Sequence, residues 1–232
     1  SNNISTINNL IDVVQVAVGG STKYGARSNG MQTAELESFC LCLRKNGTVW
    51  SIGNNNSGQL GNGTFSITES ALQVKGLTDI KSIDAGKEHA IALTNSGEIF
   101  TWGNNSYGQL GIGCSAIRKT PQKIAVVPGT VSISSGYDYI TLCKNDGTVW
   151  ELSLDANSKR NSMLQPIQVL NIKNVRYIDG ENAIDNNGYV WVWDKERKAK
   201  KISDLSGITT IAGNFALKND GTVWSYYPSY PS

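Results

Sequence analysis

The sequence is poor in charge and proline and has no long apolar run. Its 232 residues are 17% charged, against about a quarter in an average soluble domain. The 21 basic and 19 acidic residues nearly cancel, which argues against a nucleic-acid-binding surface. No apolar stretch approaches the ~20 residues of a membrane-spanning helix, and no apolar stripe at helical spacing exceeds about two turns. We therefore expect no membrane span and no nucleic-acid partner.

Cysteine is scarce, and its spacing fits no metal site. The four cysteines are Cys40, Cys42, Cys114 and Cys143. They are too few for a disulfide framework and form no C-x-x-C pair that would predict zinc. Cys40 and Cys42 lie two residues apart on a predicted strand, so their side chains share one face. We interpret the cysteines as small buried residues of a sheet and expect no metal or other cofactor.

Groups that carry catalysis are also rare. The sequence has one histidine, His89, and lacks the H-E-x-x-H, nucleophile-elbow, phosphate-loop and calcium-loop motifs. The glycine-rich stretch at 53–63 joins two predicted strands and recurs later in the chain. It is typical of a turn in which Asn and Gly adopt left-handed backbone conformations. We therefore expect no enzymatic activity.

What the sequence does contain is an internal repeat. Residues 44–61 and 94–111 carry the same phrase fifty positions apart, and both copies end in G-Q-L-G. Shorter versions return at 144–150, 186–193 and 218–224. The turn glycines of the five repeats are Gly47, Gly97, Gly147, Gly188 and Gly221. A recurring unit of this length predicts a repeat architecture.

Each repeat predicts four antiparallel strands. A first strand such as Ile80–Ala85 alternates apolar and polar residues and ends at a glycine, and a second strand such as Ala90–Leu93 follows. An Asn-Gly, Ser-Gly or Asp-Gly turn, typical of tight hairpins, leads to a third strand such as Thr148–Trp150. A polar loop then leads to a short fourth strand, at Ala71–Val74 in the first repeat and Pro121–Ile124 in the second. Four-stranded antiparallel units at this period predict the blades of a β-propeller.

We predict an all-β fold, with one propeller domain of five blades over residues 1–232. The repeats span residues 13–74, 80–124, 131–169, 175–202 and 208–227. The fifth repeat ends after its third strand, while residues 4–7 align with a fourth-strand position. We expect this N-terminal strand to complete the fifth blade and close the ring, which leaves no unpaired blade edge. The alternative is a fragment of a longer array.

The phrase W-G-N-N-S-Y-G-Q-L-G at 102–111 resembles the repeat of the regulator-of-chromosome-condensation family. The preceding segment, with Gly86, His89 and Leu93, also matches that family's pattern. The resemblance implies a propeller; family members have seven blades, from which five repeats would depart. It covers about residues 4–227 and is most specific in the first two repeats.

The resemblance implies binding rather than one fixed activity. Family members include a nucleotide exchange factor for a small GTPase, a plant photoreceptor and a secreted bacterial inhibitor of β-lactamases. The wedge hairpin of the exchange factor has no clear equivalent here, and the G-W-R-H-T signature of the photoreceptor is absent. The K-N-G-T-V-W idiom is more similar to the bacterial secreted branch. This implies a secreted or cell-surface bacterial protein that binds another protein across one face.

Binding is expected on the face where the first-to-second and third-to-fourth loops emerge. Repeat one carries an insertion on this face between Gly19 and Leu43. Tyr and Arg are enriched at interface hot spots, so this face favours a protein partner. The predicted partner-binding residues are Lys23, Tyr24, Arg27, Met31, His89, Tyr107, Tyr137 and Tyr139.

Other interpretations stay open. A five-bladed lectin would need matching aromatic and polar residues in every blade. The segment Tyr137–Tyr139 of the third repeat is instead matched by Glu88 and His89 in the second, by Phe215 in the fifth, and by the insertion in the first. The alternatives are a carbohydrate ligand, an exchange-factor mimic acting on a small GTPase, or repeats with a purely structural role.

Five of the six tryptophans recur at or beside the third strand, which favours packing between blades. The basic segment 194–201 is expected to be a solvated loop, and binding of an acidic partner or an anionic surface is the alternative. The protein is expected to be a monomer.

Overall fold

The computed structural model describes residues 7, 10–24, 34–112, 116–124, 127–152 and 166–227. Within these ranges the regular elements are β-strands, grouped into five antiparallel sheets that follow one another along the chain. No helix in these ranges is long and apolar enough to cross a membrane. The all-β prediction is confirmed.

The strands of each sheet occur in chain order, and successive strands are neighbours. The first sheet contains β1 (Val13–Tyr24), β2 (Ala34–Arg44), β3 (Val49–Gly53) and β4 (Thr68–Gln73). The second contains β5 (Ile80–Ala85), β6 (His89–Thr94), β7 (Ile99–Gly103) and β8 (Arg118–Lys123). The third contains β9 (Thr130–Ser135), β10 (Ile140–Lys144), β11 (Val149–Leu152) and β12 (Ile167–Gln168). The fourth contains β13 (Val175–Asp179), β14 (Asn182–Asp185), β15 (Val190–Trp193) and β16 (Ala199–Lys201), and the fifth contains β17 (Ile208–Ala212), β18 (Phe215–Lys218) and β19 (Val223–Ser225).

Two details differ from the sequence prediction. β4 and β8 each begin three residues before the predicted fourth strand. A register irregularity after Ser51 pairs Thr68 with Gly53, and one after Thr101 pairs Arg118 with Gly103, so polar residues extend both ladders. Of the predicted closing strand 4–7, only residue 7 lies within the described residues.

The hairpin turns follow directly from the turn glycines. All five of these glycines have positive φ, between 75° and 87°. Backbone of this kind costs a residue with a Cβ about 1–2 kcal/mol, which explains why glycine recurs there. The second and third strands of every sheet are joined by this turn, as the repeat predicts.

Consecutive sheets pack through apolar side chains. Leu41 and Val49 of the first sheet form a buried cluster with Ile83 and Trp102 of the second. Equivalent clusters join the second sheet to the third, the third to the fourth and the fourth to the fifth. We call the side of a sheet that packs on the following sheet its forward face, and the opposite side its rear face. In the first junction Leu41, Leu43 and Val49 mark a forward face, while Ile80, Ile83 and Trp102 mark a rear face.

The insertion of the first repeat is a two-stranded ribbon. β1 and β2 continue past the body of the sheet, with pairs from Ser21 with Glu37 to Tyr24 with Ala34. The sequence predicts a loop insertion here, whereas in the structure both of its ends are paired strands. Residues 25–33, between the two strands, lie outside the described residues.

Candidate protein-binding face

The third-to-fourth loops of the first two sheets have one shared geometry. In the first sheet, the Leu60 amide donates to Asn55 Oδ1 at 3.0 Å, and Ser51 Oγ donates to the Leu60 carbonyl at 2.8 Å. In the second, the Leu110 amide donates to Asn105 Oδ1 at 2.9 Å. Buried asparagines thus fix the conformation of each loop, and the third-strand hydroxyls of Ser51 and Thr101 hold it on its own sheet. The prediction of a structural turn at 53–63 agrees with this geometry.

Each loop also contacts the following sheet. Trp102 Nε1 of the second sheet donates to the carbonyl of Gln59 in the first loop, at 2.8 Å. Gly61 has φ +66°, and a Cβ there would lie 2.7 Å from Trp102 Nε1. Glycine is therefore required both for the backbone angle and for the close approach of the indole ring.

A glutamate connects the loops across the face. Glu88, between β5 and β6, accepts a hydrogen bond from Ser57 Oγ at 3.1 Å and from Asn104 Nδ2 at 2.6 Å. Ser57 belongs to the loop of the first sheet and Asn104 to the loop of the second. Charge-assisted bonds of this kind are stronger than neutral ones, so this part of the face is held as one surface.

A tyrosine and a lysine stack beside this connection. Lys87 Nζ lies 4.5 Å from the centroid of the Tyr137 ring. A hydrogen bond with Tyr137 raises the pKa of Lys87, so the lysine stays protonated over the ring. Burial raises the pKa of the neighbouring Asp138 carboxyl, and Lys87 opposes that shift. The three residues form a compact polar and aromatic group where the β5–β6 connection meets the β9–β10 connection.

A shallow cavity of about 440 Å³ lies next to the stacked pair. Its lining includes Val18, Ser38, Lys87, Ser135 and Tyr137. These residues come from the first three sheets, around the connections between their first and second strands. The cavity is open and combines apolar, hydroxyl and aromatic groups, which is typical of a surface that receives a side chain of another molecule.

The structure separates the predicted site residues into four groups, of which the fourth is His89 alone. Tyr107 and Tyr137 are exposed on the loop face, at 56% and 57%, and Tyr139 is half-buried. Lys23 and Tyr24 end the ribbon strand β1. Arg27 and Met31 lie outside the described residues.

His89 lies in the interior, between the second and third sheets. Its side chain is fully buried, and burial lowers its pKa to about 4, so the ring is neutral at physiological pH. A Cβ on Gly86 would lie 2.1 Å from His89 Cε1, so the ring packs flush against the neighbouring backbone. This placement removes His89 from the surface that a partner would contact.

Sequence reasoning missed part of the loop face. Phe65 is 50% exposed in the first third-to-fourth loop, and Lys119 Nζ of β8 lies 5.3 Å from its ring centroid. Ile67 and Ile117, which directly precede β4 and β8, are also exposed. The available signal was an aromatic residue within an otherwise polar loop, where no packing position would call for one.

Sequence reasoning also missed a buried ion pair. Most of the segment 194–201 is exposed, but Arg197 is buried and its Nε lies 3.2 Å from Glu151 Oε1. Trp193 Nε1 donates to the other carboxylate oxygen of Glu151 at 3.2 Å. Arg197 and Ala199 of the predicted solvated loop therefore belong to the junction between the third and fourth sheets, and Ala199–Lys201 form strand β16.

Comparison with known proteins finds one repeat family that matches residues 46–143. Residues 46–93 and 96–143 match the Regulator of chromosome condensation (RCC1) repeat, and residues 80–109 match a second model of the same description. No curated protein sequence matches the chain.

Solved structures share the fold. Human WBSCR16 is 20% identical, with a TM-score of 0.60 over 71% of this chain and 50% of that chain. Prp20p from Saccharomyces cerevisiae, whose structure was described with its binding to Gsp1p and histones, is 21% identical, with a TM-score of 0.59 over 83% of this chain and 46% of that chain. Yeast RCC1 (Prp20) bound to Kap60 is also 21% identical, with a TM-score of 0.59 over 82% of this chain and 44% of that chain. This chain therefore spans about half the length of the structures it resembles.

Proposed function

Because the chain belongs to the RCC1 repeat family, we propose that it is a non-catalytic protein-binding module that contacts its partner through the loop face. The observation that carries the proposal is the exposure of Tyr107 and Tyr137 on loops that hydrogen bonds hold in place. Tyrosine combines a large contact area with few rotatable bonds, which makes it a frequent hot-spot residue.

Side-chain contacts hold the loops of this face in one conformation, which supports a binding role. Glu88 joins the loops of the first two sheets, and the Lys87–Tyr137 stack extends the same surface to the third. A surface that is ordered before binding loses less conformational entropy when a partner arrives. Prp20 binds Gsp1p and histones and has been solved bound to Kap60, which supports a binding role for this fold.

The finer architecture belongs to the same proposal. Among the described residues, β19 pairs with β18 and no strand covers its other edge. A fourth strand from residues 4–7 would satisfy that edge and complete a fifth blade. We also retain a bacterial, secreted or cell-surface origin and the absence of catalysis as parts of the proposal, because the repeat idiom and the residue content favour them.

The test compares two tyrosine variants. A Y107A/Y137A double variant removes both exposed rings of the loop face. Y189A is the matched control, because Tyr189 also carries a lysine over its ring, Lys201 at 4.3 Å, but lies in a hairpin turn at the other end of its sheet. A partner is first identified by quantitative affinity capture, and its affinity for each variant is then measured by calorimetry.

We expect Y107A/Y137A to weaken binding by at least about tenfold and Y189A to leave it unchanged. Circular dichroism and urea unfolding check that both variants fold. Equal affinity of all three proteins would contradict the proposal. Competition by a simple sugar would favour the lectin alternative.

A further inference from the structure

A second cavity lies on the loop face, where the third, fourth and fifth sheets meet. It has a volume of about 360 Å³, and its walls are the connections between the first and second strands of these sheets. Buried apolar clusters fill both junctions between the three sheets, so the cavity includes neither the rear face of the first sheet nor the forward face of the fifth. Its polar lining side chains are Ser135, Tyr139, Asp179, Glu181, Asn182 and Asn214.

The lining is rich in hydrogen-bond acceptors. Asp179 Oδ2 accepts a hydrogen bond from the Gly213 amide at 2.6 Å, which fixes this carboxylate between the fourth and fifth sheets. Asn182 Nδ2 donates to the Asp179 carbonyl at 3.1 Å, so the side-chain oxygen of Asn182 remains available to accept. Ser135 Oγ is buried, and no hydrogen bond satisfies it among the described residues. A ligand that bonds to this hydroxyl would relieve the cost of burying it.

The charge of the cavity indicates which ligand it fits. Asp179 and Glu181 are acidic, and none of the described lining residues is basic. Behind the wall, Asp84 accepts a hydrogen bond from the Ser135 amide at 2.6 Å. Burial raises the pKa of Asp84, and the charge of Asp179 adds to this shift, so negative charge is concentrated here. Tyr139, the aromatic residue of the lining, is half-buried, which disfavours the stacking that a sugar would use. A cation that only donates hydrogen bonds is the favoured ligand.

We infer that this acidic cavity receives an arginine side chain of the protein partner, an inference that rests on the proposed function. The guanidinium group is a cation with five N–H donors and no acceptor, so it complements a lining of carboxylate, amide and hydroxyl oxygens. Its planar shape also allows two parallel hydrogen bonds to one carboxylate, which an ammonium group does not form. Ser135 also lines the cavity beside Lys87 and Tyr137, so one partner surface can reach both cavities.

The probe for this site is a short peptide, acetyl-Gly-Arg-Gly-amide. A citrulline version supplies a neutral side chain of nearly the same shape, and a lysine version supplies the other basic side chain. Titrations followed by NMR report on the amide signals of Gly180 and Gly213, which line the cavity. We expect the arginine peptide to shift both signals to saturation, and the citrulline and lysine peptides to bind at least about tenfold more weakly.

The variant D179N/E181Q removes both charges of the cavity. It keeps an oxygen that can accept from the Gly213 amide, so it is expected to fold, which circular dichroism checks. The matched control D146N/D220N removes two charges from hairpin turns at the other end of the sheets. Asn46 already makes the same hydrogen bonds to Thr48 in the first of these turns, so the control has a precedent in the fold.

We expect D179N/E181Q to weaken binding of the arginine peptide by at least about tenfold and D146N/D220N to bind it as the wild type does. Absence of binding to the wild type would overturn the inference. So would equal binding of the citrulline or lysine peptide, unchanged binding by D179N/E181Q, or an equal loss in D146N/D220N, which indicates attraction to net charge alone.

The captured partner separates this inference from the proposed function. We expect D179N/E181Q to weaken its binding in addition to the loss caused by Y107A/Y137A. A partner that depends on the two tyrosines and is indifferent to D179N/E181Q overturns the arginine inference and leaves the proposed function intact. A partner that depends on D179N/E181Q and is indifferent to Y107A/Y137A supports the arginine site and contradicts the role of the tyrosines.

Discussion

Two junctions, between the first and second sheets and between the third and fourth, each bury a tryptophan of the following sheet. They differ in the group that accepts the hydrogen bond from its indole nitrogen. Ser51 and Glu151 occupy the same third-strand position, and Trp102 and Trp193 occupy the facing position of the next sheet. In the first junction Ser51 Oγ and Trp102 Nε1 both donate to carbonyls of the glycine-rich loop. In the second, Trp193 Nε1 donates to the Glu151 carboxylate, which also pairs with Arg197.

The different acceptors at the two junctions show how a repeat can lose the G-Q-L-G phrase and keep its fold. In the first junction, which has the G-Q-L-G phrase, the neutral Gln59 carbonyl accepts from the buried indole nitrogen. Where the phrase is lost, a buried carboxylate takes over, and a cation from the next loop compensates its charge. The two solutions should differ in fragility, because removing one member of a buried ion pair leaves an uncompensated charge, whereas removing a hydroxyl does not.

The largest expected effect is the loss of stability when the carboxylate of the buried ion pair is removed, compared with removal of the matched hydroxyl. E151A leaves Arg197 buried without its carboxylate and Trp193 without its acceptor, so we expect a loss of about 3–5 kcal/mol of unfolding free energy. S51A, at the matched position of the first sheet, should cost only about 1 kcal/mol. Urea unfolding measures both. The double variant E151M/R197M should recover most of the loss, since it removes both charges together.

A second prediction concerns the junction between the second and third sheets. His89 occupies the second-strand position that Phe39 fills in the first sheet, and both are buried. Burial lowers the folded-state pKa of His89 to about 4 from its ordinary 6.5. Between these values the unfolded chain binds a proton that the folded chain does not, so stability is full above pH 6.5 and decreases as pH falls towards 4. The total loss is about 3 kcal/mol.

The variant H89F removes the contribution of the histidine to the pH dependence of stability. Phenylalanine is the residue that the chain itself uses at the matched position, so the ring has a precedent in the fold. Urea unfolding between neutral and acid pH should give a shallower decline for H89F than for the wild type. Equal slopes for the two proteins would show that the histidine titrates alike in the folded and unfolded states. Carboxylates such as Asp146, whose pKa is lowered by hydrogen bonds from Thr148, contribute equally to both proteins.

The strand pattern could be predicted from the sequence because its signals are local. A turn glycine with positive φ and alternating apolar residues define each hairpin without reference to the rest of the chain. The burial of His89 and Arg197 could not be predicted, since each depends on the sheet that packs against it. The same holds for Val16 and Val223, whose residue types match buried positions elsewhere although both are exposed here. An apolar residue at a repeat position predicts that its face of the sheet is apolar, but it does not predict which surface packs against that face.

The smallest expected effect comes from replacing glycines near the first junction. One of two glycines is required only for its backbone angle, and the other is required for packing as well. Gly61 and Gly76 both have positive φ, at +66° and +78°, but a Cβ at Gly61 would meet Trp102 while one at Gly76 would meet nothing within 4 Å. G76A should therefore cost only the conformational term of about 1 kcal/mol. G61A adds displacement of the indole ring and should cost about 2–3 kcal/mol in all. A combined G61A/W102F variant shows whether the additional cost comes from the indole: if it does, G61A costs less in the W102F background than in the wild type, and the loop and the tryptophan act as one unit.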